Sequence, residues 1–364
     1  MRYKLLTPGP LTTTETVKKE MMIDHCTWDD DYKAVTQKIR AGLLQLAHVS
    51  EEEYTAVLMQ GSGTFGVESA ITTLTGREDK LLILANGSYG ERMADMARHA
   101  GISYIMHSWA IDEQPDAETV KQILQEDKTI THVSMVHSET TSGILNDVQS
   151  IGNVVKETGA VFIVDAMSSF AGVDIPVKEW GIDCIISSAN KCIQGVPGFS
   201  YVIVRKDLLE KSEGNARSLS LDLYDQWKTM NVDGKWRFTS PTHVVLAFAK
   251  AMEELEAEGG ILARHKRYAA NETLLREKLS ALGFVPFLRP EVQGPIITTF
   301  YYPENCNFSF QEMYDYIKAR GYILYPGKTT EAETFRVGNI GEIYEEDILT
   351  LADLLSDFLD TKNK

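Results

Sequence analysis

The chain has 364 residues, of which 43% are hydrophobic and 24% charged, with 26 glycines and 11 prolines. Such ordinary globular values exclude a disordered, collagen-like or low-complexity chain, and the length suits two domains around a sizeable core. Lys and Arg total 36 against 52 Asp and Glu, a net charge of −16. That balance disfavours nucleic acid and membrane surfaces as partners, so an anionic substrate needs a local cation.

No apolar run of signal-peptide length opens the sequence, and no stretch approaches the length of a membrane span. Cys26, Cys184, Cys192 and Cys306 are scattered without a CxxC pair. The expectation is a cytoplasmic protein with reduced thiols and no metal site.

Apolar runs alternate with amphipathic stretches through the first 205 residues. Strands are expected at Thr55–Met59, Leu81–Ala85, Ile102–His107, His132–His137, Val161–Val164, Cys184–Ile186 and Tyr201–Val204. Helices are expected at about 64–74, 89–100, 117–125 and 148–158. Strands that are apolar throughout belong to a sheet covered on both faces, and strand–helix repetition makes that sheet mainly parallel. Ligands then sit outside the carboxyl ends of the strands. After about residue 250 the texture becomes more charged. A long helix at 261–282 is followed by a strand at Ile296–Tyr301, a helix at 310–320, a strand near Ile323, another at Phe335–Val337 and a closing helix at 347–359. This order predicts a smaller α+β unit.

Three segments carry chemistry. Gly61-Ser62-Gly63-Thr64-Phe65-Gly66 follows a strand and opens a helix. Bare N–H groups, hydroxyls and a favourable dipole end suit a phosphate there, although Ser62 or Thr64 can equally be an N-cap. A nicotinamide dinucleotide would want an acid after the second strand, where Ala85-Asn86-Gly87 has none. Asp165 ends the Val161–Val164 strand, where a buried carboxylate needs a cation or donors. Lys191, within Ser188-Ala189-Asn190-Lys191-Cys192-Ile193-Gln194-Gly195, enters a tight turn after another strand. A sheltered lysine can lose its proton and form a Schiff base. Together the three meet the needs of pyridoxal phosphate: an anion cradle, an acid for the ring nitrogen and an amine for the aldehyde.

The chain resembles the class-V aminotransferases, a branch of the fold-type I pyridoxal-phosphate enzymes. The resemblance runs almost end to end. It is carried by Leu6-Thr7-Pro8-Gly9-Pro10, Cys26–Tyr32, Leu58–Gly63, Met135–Thr141, the Asp165 and Lys191 segments, Ser218–Trp227, Lys235–His243 and Phe335–Gly341. It implies a large cofactor-binding domain over 15–250 and a small domain from 1–14 and 251–364. It also implies a homodimer with shared active sites. The implied reaction moves the amino group of 2-aminoethylphosphonate to pyruvate, giving phosphonoacetaldehyde and L-alanine by ping-pong kinetics. A related activity, such as serine/alanine–glyoxylate or phosphoserine transamination, is the alternative.

Residue roles follow from the same resemblance. Lys191 bonds the cofactor and moves the proton, and Asp165 serves the ring nitrogen. Ser62, Gly63 and Thr64 hold the phosphate, Tyr89 stacks on the ring, and Thr141 meets the ring hydroxyl, with Thr140 or Ser142 as substitutes. Gln194 approaches the phosphate or else makes a turn hydrogen bond. Thr242 reaches the partner's phosphate or else caps a helix. Arg336 binds the substrate anion, as a guanidinium fork suits a carboxylate. Arg92, Arg237 and Trp28 are further candidates. His25, His137 and His243 lie beside the motifs without a metal-binding pattern.

Overall fold

The computed structural model describes residues 3–303, 308–327 and 332–362, so Cys306 lies outside the described residues. Seven strands form one sheet, in the spatial order Tyr54–Gln60, Phe199–Arg205, Cys184–Ser188, Val161–Asp165, His132–Val136, Lys80–Ala85 and Ser103–Ser108. Phe199–Arg205 is antiparallel to both neighbours, and the remaining pairs are parallel. The expected strands are therefore all present, in a mainly parallel sheet.

The apolar runs are explained by burial on both faces. Along one strand, Leu82 and Leu84 enter one core with Val133, Met135, Phe162 and Val164. The alternate residues Leu81 and Ile83 enter another, with Ile163, Val202 and Val204. Each such side chain contributes about 1.5–3 kcal/mol through burial. The Gly63–Leu74 and Ser88–His99 helices supply residues to the second core. The Asp30–Leu46, Ala117–Glu126, Val148–Thr158 and Thr242–Glu258 helices supply the first. The Val148–Thr158 helix shows how local sequence sets the ends. Asp147 accepts from the Ser150 N–H at 3.0 Å, and Gly159 ends the helix at φ 75°.

A third apolar cluster joins Leu6 to Phe284, Phe300, Phe335, Val337 and Leu351. It lies under an antiparallel sheet of Ile297–Tyr301, Thr334–Gly338 and Tyr325–Pro326. The N-terminal Lys4–Leu5 strand pairs in parallel with Tyr322–Ile323, which brings the first residues to this unit. The division expected at residue 250 falls inside the Thr242–Glu258 helix. The charged texture there is one helix's polar side: Glu253 pairs with Lys38 and Glu258 with Arg264 and Arg267. The chain breaks direction at Gly259 and Gly260, where φ is 109° and 76°.

Gly152 lets its helix touch the loop beneath, because a Cβ there would overlap the Trp180 carbonyl oxygen. Gly152→Ala is expected to destabilise the protein by about 1–3 kcal/mol in denaturant titration. Unchanged stability would contradict that close approach.

Candidate active site

Asp165 is the last residue of its strand and only 4% exposed. The Met167 N–H donates to its Oδ1 at 2.8 Å. Among the described residues no cation lies at ion-pair distance from it. Burial pushes the carboxyl up to about 6, opposed by the Met167 donor and reinforced by the nearby Glu139. A buried acid so poorly compensated fits a site that receives a cationic N–H.

Lys191 stands three residues beyond the Cys184–Ser188 strand. Its amine donates to the Pro8 carbonyl at 2.8 Å. Burial lowers the ammonium below its ordinary range, while Tyr89, Cys192 and Asp165 act to raise it and Arg336 to lower it further. Asp165, Tyr89 and Arg336 thus lie within electrostatic reach of this amine. Gly9, at φ 116°, packs on the lysine stem; a Cβ there would come within 2.9 Å of Nζ. The amino-terminal Thr-Pro-Gly-Pro loop is thus a wall of the site.

The cradle opens the Gly63–Leu74 helix. Ser62 occupies the N-cap position, yet its side chain makes no capping hydrogen bond, leaving the hydroxyl able to donate to an anion. Gly63 lies against the Met167 sulfur with no room for a Cβ. Thr64 accepts from Arg92 Nη1 at 3.4 Å, and Arg92 also lies over the Tyr89 ring at 4.8 Å. A cation thus reaches the phosphate cradle and one face of the aromatic ring. Thr64, Tyr89, Arg92, Asp165 and Met167 line one cleft. These residues fit pyridoxal phosphate by anion cradle, by acid and by amine.

Thr141 is buried and its hydroxyl is engaged within the protein. It donates to Glu139 Oε1 and accepts from the Ser88 N–H at 3.3 Å. Glu139, which the sequence did not single out, is wholly buried. Its Oε1 accepts from the Thr141 N–H at 3.0 Å, and its Oε2 from the Tyr89 N–H at 3.1 Å. It thereby fixes the start of the Ser88–His99 helix to the Ser138–Glu139 strand. A Cβ on Gly87 would meet its Cγ at 2.5 Å.

Gln194 makes the turn hydrogen bond, its N–H donating to the Lys191 carbonyl at 2.7 Å. Its side-chain oxygen accepts from Arg267 Nη2 at 2.9 Å and the Tyr268 hydroxyl at 2.7 Å. That oxygen therefore faces the Gly260–Ala281 helix, and only the amide nitrogen is left for a phosphate. Thr242 is the first residue of its helix, after Pro241 in the N-cap position. Arg336 is 7% exposed; Nε donates to the Pro326 carbonyl at 3.0 Å and Nη1 to the Thr140 carbonyl at 2.8 Å. Thr140 and Ser142 thus enter through their backbones, the Ser142 carbonyl accepting from Thr299 Oγ1 at 2.7 Å.

Arg237 pairs with Asp225 at 3.0 Å, and Trp28 is 69% exposed beneath Lys33 and Lys235. His137 is a buried core histidine, pushed down to about 4 by burial, with Nδ1 3.0 Å from Ser169 Oγ. Among the described residues no group of three His, Cys, Asp or Glu side chains is placed to hold a metal.

The raised Asp165 acid has a stability consequence. In the cofactor-free protein its ionisation costs nothing below about pH 4, where folded and unfolded chains are both protonated. The cost grows up to about pH 6 and is constant above. Cofactor-free Asp165→Asn is therefore expected to be more stable than the parent at pH 8, by about 3 kcal/mol. Denaturant titrations should show that gap closing between pH 6 and pH 4; a gap independent of pH would contradict it.

The model of the class-V aminotransferase family matches residues 26–327. A protein of Lysinibacillus sphaericus named 2-aminoethylphosphonate–pyruvate transaminase is 57% identical over 361 residues, covering 99% of this chain and 98% of that protein. One of the same name from Bacillus cereus is 53% identical, with 97% of each chain covered. Among solved structures, ureidoglycine–glyoxylate aminotransferase of Bacillus subtilis superposes with a TM-score of 0.92 at 21% identity, over 100% of this chain and 94% of that one. Pyridoxamine–pyruvate aminotransferase of Mesorhizobium loti gives 0.91 at 22% identity, with the same coverage. These structures share its fold. With a buried acid, a sheltered amine and an anion cradle at the carboxyl ends of its sheet, the chain belongs to the class-V aminotransferase family.

Proposed function

We propose that this chain transfers the amino group of 2-aminoethylphosphonate to pyruvate, releasing phosphonoacetaldehyde and L-alanine. The observation that carries the reading is the buried pair of Lys191 amine and Asp165 carboxyl at neighbouring strand ends, neither with an ion-pair partner among the described residues, with Arg336 within electrostatic reach of the amine. The substrates come from relatives matched over nearly their whole length. Bound pyridoxal phosphate supplies an aldehyde for the lysine and a cationic ring that draws electrons from the carbon bearing the amine.

The chain's own groups do the rest. Ser62, Gly63 and Thr64 hold the phosphate, with Arg92 beside them, and Gln194 adds its amide N–H. Tyr89 flanks the ring, and Thr141 with Glu139 fixes the loop behind it. Asp165 holds the ring proton, and its own burial makes that pairing favourable. Lys191, with its proton affinity lowered by burial, removes a proton from the substrate carbon and returns one. Arg336 offers a guanidinium to the phosphonate in one half-reaction and to the pyruvate carboxylate in the other. The two substrates take turns in one place, which is the basis of ping-pong kinetics.

The protein works as a homodimer in the cytoplasm on this reading. No helix among the described residues is long and apolar enough to cross a membrane. Met22, Ile23, Trp28, Leu219 and Phe238 are exposed apolar side chains in segments that meet near Thr242. Asp24 contacts His243 at 3.0 Å, and Arg237 donates to the Leu219 carbonyl. An apolar face of that kind calls for a cover, and a second copy would bring Thr242 to its partner's phosphate.

The visible spectrum of the purified protein tests the reaction. Its yellow band should fall when 2-aminoethylphosphonate is added and return with pyruvate, with alanine formed. Serine or phosphoserine as the effective donor instead would favour the related transaminases. Arg336→Lys should cut kcat/KM about a hundredfold for both substrates, because an ammonium cannot form the paired contact. A loss confined to one substrate would refute the shared anion site.

A further inference from the structure

Arg267 has no role in the reaction as described so far, yet it is bonded through its whole guanidinium. It lies on the Gly260–Ala281 helix with its side chain 13% exposed. A guanidinium has five N–H donors, and all five are used. Nε donates to Glu258 Oε1 at 2.7 Å, and Nη2 to Glu258 Oε2 at 3.1 Å and Gln194 Oε1 at 2.9 Å. Nη1 donates to the Gly341 and Ile343 carbonyls at 2.8 and 3.0 Å. The plane is flanked by the Tyr268 and Tyr344 rings, each 4.9 Å from Cζ.

These partners belong to two halves of the site. Gln194 is three residues after Lys191, at φ 68°, a left-handed conformation that a side chain adopts only under external constraint. Gly341 and Ile343 lie three and five residues beyond the strand that carries Arg336. Neighbours reinforce the link: Arg264 Nη1 donates to the Cys192 carbonyl at 2.8 Å, and the Gly341 N–H donates to the Tyr268 hydroxyl at 3.3 Å. We propose that Arg267 is a positioning residue, the joint that fixes the lysine turn to the Arg336 strand and so sets the separation of catalytic amine and anion-binding guanidinium. This rests on the transaminase reading for its consequence. A misplacement near 1 Å at reacting groups costs about a hundredfold in rate.

Arg267→Lys keeps the charge and loses the fork. In the cofactor-free protein, hydrogen exchange should quicken tenfold or more at backbone amides 192–196 and 339–343, with the 81–85 strand unchanged. In the loaded protein, single-turnover rates with 2-aminoethylphosphonate and with pyruvate should fall tenfold or more, and alike, at temperatures well below unfolding. Exchange and rates within twofold of the parent would overturn the proposal, even with a lowered Tm, because that is the behaviour of a merely structural residue. Should Arg267→Lys fail to fold, Glu258→Gln weakens the same clamp and is judged by the same two readouts. If the parent itself fails to shuttle amino groups between the two substrates, the transaminase reading falls while the exchange result still decides the joint.

Discussion

Asp165 and Lys191 are two ionisable groups removed from water at neighbouring strand ends, and neither has an ion-pair partner among the described residues. Burial drives both toward their neutral forms. For a stable fold alone this is a poor arrangement, because buried charges are ordinarily paired. It becomes reasonable when a flat, anionic and aldehyde-bearing cofactor supplies a cation for one and a covalent partner for the other. The rest of the molecule serves to keep these two groups desolvated and a short distance apart.

That service starts with the sheet. Because its strands are mostly apolar on both faces, helices cover both sides, and the ionisable groups of the site gather at the strand ends. The carboxyl ends therefore collect the Gly61 loop, Asp165 and the Lys191 turn without any of them crossing the core. The third apolar cluster then carries Arg336 to the opening, with Leu6 and the Pro8–Gly9 loop drawn along by the pairing of Lys4–Leu5. One amine is thus contacted from both the sheet and the amino-terminal loop.

Much of this was legible in the sequence because it rests on local rules. Seven apolar runs named seven strands, and the glycine turn and the strand-end acid stood where parallel sheets place ligands. The Asp30–Leu46 and Leu223–Asp233 helices were not legible. On the first, a charged residue faces inward: Arg40 is 7% exposed and donates to the Ala56 and Met230 carbonyls. Periodicity reads such a residue as solvent-facing. Glu139 and Arg267 escaped for a similar reason, since their partners lie far away in sequence and only the folded chain shows what they hold. The change of texture near residue 250 reflects the acidic residues of the Thr242–Glu258 helix. Gln194 was named for its place three residues after Lys191; the turn hydrogen bond is present, and its side-chain oxygen turns to Arg267 and Tyr268, partners that only the folded chain brings together.

The central claim is that the Lys191 amine is the one that bonds pyridoxal phosphate. Borohydride reduction of the purified yellow protein followed by peptide mapping tests it most directly. The cofactor label should appear on the peptide containing Lys191 and be lost when the protein is first treated with 2-aminoethylphosphonate. A label on another lysine, or no label at all, would contradict the account.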